Sequence, residues 1–120
     1  MNSIADQLIT RGWSRGQLVA EDGSVCLAGA VQLAVREHVE LWQPWTDEEL
    51  SSLNRGMLLV AELVRPSLAH VFTPVTDSES VIGALNAHSH LISLWNDKVC
   101  ADADEAIRVA KRADEILDAR

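Results

Sequence analysis

The chain contains no tyrosine and one phenylalanine against four tryptophans, so its aromatic surface is almost all indole. Each tryptophan therefore weighs heavily in any reading of core or surface. Cysteine is scarce as well: Cys26 and Cys100 are too few for a disulfide framework. The opening MNSIADQLITRG lacks the basic start and apolar run of a secretion signal. Nothing approaches the roughly 18 continuous apolar residues of a membrane-spanning helix. These absences predict a cytoplasmic protein with reduced thiols and no membrane contact.

Basic clusters are missing too. Ten Lys and Arg stand against 18 Asp and Glu, a formal net charge of -8. Nucleic-acid binders concentrate Lys and Arg to displace counterions from phosphates, so direct nucleic-acid binding is not expected. Arg11, Arg15, Arg36, Arg55 and Arg65 are too scattered for a phosphate site. Gly12-x-x-x-Gly16 has neither the Lys-Ser/Thr nor the preceding strand of a phosphate loop. No serine elbow, paired-carboxylate motif or H-E-x-x-H occurs. Catalysis lacks a constellation, and no cofactor is implied.

What is present is enough apolar material for one core. With 120 residues and 48% hydrophobic side chains, residues 1–120 read as a single domain. The most informative stretch is Gly12 to Val35. Gln17–Ala20 and Ser24–Cys26 face each other across Glu21-Asp22-Gly23, and Asp-Gly suits the positive φ angles of a tight hairpin turn. From Leu27 the spacing turns helical through Ala30, Val31, Ala34, Val35, His38, Val39 and Trp42. Pro44 disfavours helix at Gln43, so this central helix is predicted to end near Leu41 or Trp42.

Other helices frame it. Asn2 or Ser3 caps a short first helix carrying Ile4, Leu8 and Ile9, with Gly12 as its stop and Trp13 as a lid. Thr46 and Glu49 form a capping box opening a helix whose stripe is Leu50, Leu53, Met57, Val60, Ala61 and Val64. Pro66 ends it or starts a short new one through Phe72. After the loop Thr73–Ser78 a fourth helix carries Val81, Ile82, Leu85, His88, Ile92 and Trp95, and Asn96 is expected to close it in a left-handed cap. Asp102 with Glu105 opens the last helix, which buries Ala106, Ile107, Ala110, Ala113, Ile116 and Leu117. The fold class is thus mainly α: a compact bundle of about five helices with one short β-hairpin between helices 1 and 2.

Gly12-Trp13 with Gly16, then Asp22-Gly23-x-x-Cys26-Leu27-x-Gly29-Ala30, and far downstream Trp95-Asn96-Asp97, together resemble a family of small proteins of unknown function from actinomycetes and their phages. The resemblance spans nearly the whole chain, with no match in residues 40–75. It implies a source and a fold. It carries over no activity and no catalytic residue.

Four groups of side chains invite chemistry. Cys26 precedes a helix start, where a thiolate is favoured, and His88 or His90 would serve as its base in a small hydrolase or transferase; a packed thiol is the plainer reading. His88-x-His90 with Asp97 and Cys100 loosely resembles a ligand set, but residues two apart on a helix diverge by about 200°, so no metal site is expected. Trp42 and Trp45 flank Gln43-Pro44, and with Asp47 and Glu48 they are the interface candidates, because indoles are enriched at binding hot spots. Trp95, Asn96 and Asp97 are the ligand-binding candidates, against the plainer reading of an anchored helix end. The function expected is non-enzymatic protein binding, as an accessory protein engaging a host factor. A structural homodimer sharing the Thr46–Val64 stripe is the remaining reading.

Overall fold

The computed structural model describes residues 2–36, 44–68 and 81–118, without the side chains of 81–86. Five α-helices run in the order α1 (Ile4–Arg11), α2 (Leu27–Val35), α3 (Asp47–Val64), α4 (Val81–Lys98) and α5 (Ala103–Asp118), with a 3-10 turn at Arg65–Leu68. The Cα radius of gyration is 13.2 Å, close to that of a packed chain of this length. None of the described helices is long and apolar enough to cross a membrane.

Capping fixes most helix starts. Thr46 Oγ1 accepts from Glu49 N at 3.1 Å while Glu49 Oε1 accepts from Thr46 N at 2.9 Å, the reciprocal box that satisfies two otherwise orphaned donors. Asp102 Oδ1 accepts from Glu105 N at 2.9 Å, and Glu105 Oε2 reaches back one residue further, to Ala101 N. Helix α1 is capped twice. Ser3 Oγ accepts from Asp6 N, and from the far end of the chain Asp114 accepts from Ser3 Oγ, Ile4 N and Ala5 N at 2.7–3.0 Å. A carboxylate on α5 therefore sits at the positive end of α1, where the backbone donors point.

Helix α2 is the centre. Leu27, Ala28, Ala30, Val31, Leu33 and Ala34 are all buried, so it has no solvated stripe and packs on α1, α3 and α4. It ends at Val35, earlier than its periodicity predicts, because Arg36 leaves helical geometry at φ -135° and ψ 57°. The expected continuation through His38, Val39 and Trp42 lies outside the described residues, as does the loop Thr73–Ser78. Arg36 is buried. It bonds Glu49 through Nε and Nη2 at 3.2 and 3.0 Å, donates to Pro44 O, and stacks 3.9 Å from the Trp45 ring centroid. This group joins the end of α2 to the start of α3. The α3 stripe Leu53, Met57, Val60, Ala61 and Val64 is buried within the chain, chiefly against α4 and α5.

Two expectations are corrected. The β-hairpin between α1 and α2 does not form: among the described residues Val25 makes only single bridges, antiparallel to Val19 and parallel to Trp13. Asp22 Oδ1 draws in both N and Oγ of Ser24, at 2.9 and 2.6 Å, and α2 begins at Leu27, so the returning arm has no length in which to build a ladder. Helix α4 does not stop at Asn96 either. It runs on to Lys98, and Val99 N and Cys100 N both close on Trp95 O. Asn96 stays inside the helix because its amide is engaged elsewhere.

Candidate functional site

Among the described residues, that amide is the hub of the most connected polar cluster. Asn96 is 0% exposed. Its Oδ1 accepts from Trp13 Nε1 at 2.7 Å and from Leu27 N at 3.0 Å; its Nδ2 donates to Ser14 O and to Asp97 Oδ1, each at 3.0 Å. One side chain thus ties α4 to the segment after α1 and to the first turn of α2. Both donors and both acceptor positions are used, as a buried amide requires.

Neighbours extend the clasp. Asp97 Oδ1 also accepts from Gly16 N at 2.9 Å. Arg15 lies 4.5 Å from the Trp13 ring centroid and donates from Nη2 to Cys100 O at 2.8 Å and Ala101 O at 3.1 Å. A cation therefore meets the carbonyls just beyond the C-terminus of α4, where the helix dipole favours it. Gly16 adopts φ +87°, a conformation that admits glycine readily. At Gly29 the need is for closeness: a Cβ there would stand 2.0 Å from Leu18 O, so only glycine lets this segment lie on α2.

Trp95 and Asn96 are thus internal, and Asp97 is half-buried. The indole of Trp95 is 2% exposed, and its Nε1, like Ser14 Oγ, is buried without a hydrogen-bond partner among the described residues. Of the interface candidates, Asp47 and Glu48 are exposed, Trp45 is half-buried against Arg36, and Trp42 lies outside the described residues. Glu49, next in line, is not free for a partner. The Arg36 guanidinium and the Thr46 amide hold its carboxyl down to about 2.

Cys26 occupies the N-cap of α2, its Sγ accepting from Gly29 N at 3.4 Å. It is 3% exposed. Burial pushes its pKa up, and the nearby Asp97 charge adds to that, opposite to what a nucleophilic thiolate needs. Cys100 is also buried, its Sγ directed to Asp102 O at 3.2 Å, and burial raises its pKa too. His90 is exposed on α4; His88 is half-buried, its pKa lowered by burial and then by the Arg65 charge. Among the described residues no three His, Cys, Asp or Glu side chains converge as a metal ion requires.

Sequence reasoning missed the hub itself. The one available signal was Asn96 inside an otherwise apolar helical run, together with the glycines and Trp13 far upstream. Of the residues that carried the family resemblance, Trp13, Gly16, Leu27, Asn96 and Asp97 are bonded together in this clasp, while Asp22, Gly23, Ala30 and Trp95 make no bond in it.

The described residues define an all-helical protein whose best-built polar site holds its own fold together. The chain belongs to a family of unknown function, DUF6197, whose model matches residues 1–115. No curated protein matches the chain, and no solved structure does.

Proposed function

We propose that the chain is a non-enzymatic protein-interaction domain, an accessory protein of an actinobacterium or one of its phages that works in the cytoplasm by engaging a host factor. The observation that supports this most is the engagement of Cys26. The thiol that the sequence offers as a nucleophile caps a helix, is 3% exposed, and has a raised pKa. The surface, by contrast, carries the excess of acid, with Asp47 and Glu48 presented at the first turn of α3. Carboxylates placed there steer a basic partner surface.

The contact face proposed is the start of α3 with the preceding Trp42. Trp45 belongs to it as a support, since its ring lies over Arg36. Affinity capture from host lysate with wild type, Asp47→Lys/Glu48→Lys and Trp42→Ala tests this. Loss of the same captured protein in both variants, with unchanged helical circular dichroism, is the expected outcome. An unchanged partner set in both variants sinks the proposal. Light scattering on the purified protein tests the homodimer reading; the stripe it rests on is buried within the chain, which leaves the exposed Ile9, Leu18, Val19 and Leu58 as apolar contacts among the described residues.

A further inference from the structure

We infer that residues 15–20 form a gate over the first turn of α2, lifting from Cys26 and Gly29 as a unit while the five helices stay folded. The segment crosses α2 at its start. Leu18 O accepts from Cys26 N at 3.3 Å, and the Leu18 backbone presses on Gly29 so closely that no Cβ fits there. Beneath it the Cys26 thiol takes the Gly29 amide.

Its attachments differ in kind from those of the helices. Arg15, Gly16, Gln17, Leu18 and Val19 are all exposed, and Leu18 and Val19 keep 39% and 38% of their surface in solvent. The segment therefore buries little apolar area. At its start it is held by bonds near the surface, Arg15 to the carbonyls of Cys100 and Ala101 and Gly16 N to Asp97, and at its end by backbone bonds, Ala20 N to Ser24 O and Gly23 N to Ala20 O. On either side the chain is fixed differently. Trp13 and Leu27 are tied to the buried Asn96, and Val25 is fully buried between them. Positive-φ glycines at Gly16 and Gly23 lie within and beyond the segment, where a change of direction is least strained. Units held by few exposed bonds open at far lower cost than the core they cover.

The gate controls access to one thiol and one helix start. Hydrogen exchange read by mass spectrometry on wild type, Arg15→Ala and Asp97→Ala tests it, with iodoacetamide labelling of wild type and Arg15→Ala mapped by peptide. Losing an anchor bond to a charged group is expected to raise the opening constant about tenfold or more. The hydrogen-bonded amide of Ala20, and that of Cys26 held by Leu18 O, should then exchange faster by that factor in each variant, with α3 and α5 unchanged, and Cys26 alkylation in Arg15→Ala should rise in step. In wild type, Cys26 alkylation should be flat at low urea. If exchange at these two amides follows α3 in all three proteins, or if Cys26 reacts only on the steep urea dependence of global unfolding, there is no gate. Should one variant lose α3 protection, the other variant and the wild-type urea profile still decide.

Discussion

Replacing Asn96 by alanine removes the hub and leaves its partners in place. Leu27 N, a buried first-turn donor of α2, then has no acceptor, which costs about 1–3 kcal/mol. Trp13 Nε1 and Ser14 O each lose a bond in a half-buried setting, at about 0.5–1.5 kcal/mol apiece. The expected loss is about 4 kcal/mol, a large fraction of the 5–15 kcal/mol that holds a typical domain. In urea this lowers the unfolding midpoint by about 2 M at an unchanged slope. Asn96→Asp sharpens the test. It keeps an acceptor oxygen but sets a carboxylate oxygen where Nδ2 lies 3.0 Å from Asp97 Oδ1. Two carboxylates that close cannot both ionise cheaply, so this variant is destabilised at neutral pH and recovers on mild acidification. Urea titrations followed by tryptophan fluorescence measure both effects. A loss below about 1 kcal/mol for Asn96→Ala refutes the hub.

Gly29→Ala drives a Cβ into the Leu18 backbone and is expected to cost about 2–3 kcal/mol, with faster exchange at the Ala20 and Cys26 amides as its local sign. Asp114→Ala uncaps α1 and costs about 2–3 kcal/mol in a denaturant titration, with circular dichroism showing partial loss of α1 before the rest unfolds. Because the Glu49 carboxyl is held at about 2 against its ordinary 4.5, the stability it adds is complete above pH 4.5 and lost as pH falls toward 2. Glu49→Gln should flatten that limb of a stability curve against pH. His88 acts in the same direction at higher pH: its lowered pKa favours the neutral ring in the folded state, so stability falls as pH drops below the ordinary 6.5, and His88→Gln should abolish that inflection.

Features written locally were legible in the chain. Thr46 with Glu49, Asp102 with Glu105, and Ser3 before Ile4 mark three helix starts within four residues each, and the α3 stripe is plain in its spacing. The clasp was not legible, because its bonds join residues 69 to 86 positions apart. Asn96 tolerates a left-handed helix end, and nothing within ten residues reveals that it instead meets Trp13 and Leu27. Cysteine is an uncommon N-cap, so Cys26 drew attention as a nucleophile before it could be read as a cap. Arg36 looked like one scattered cation; its burial depends on Trp45 and Glu49 folding back from the next helix. The turn at Glu21-Asp22-Gly23 is plain in its Asp-Gly pair, whereas the shortness of the arm that returns from it is not.

The grip of Asp114 on residues 3–5 bears on how this protein is made. A chain leaving the ribosome delivers the first helix more than a hundred residues before the carboxylate that completes it. Until that carboxylate emerges, the first turn of α1 has only its own serine, so its completion waits until residue 114 has been made. A change that displaces residue 114 would be felt first at residues 3–5.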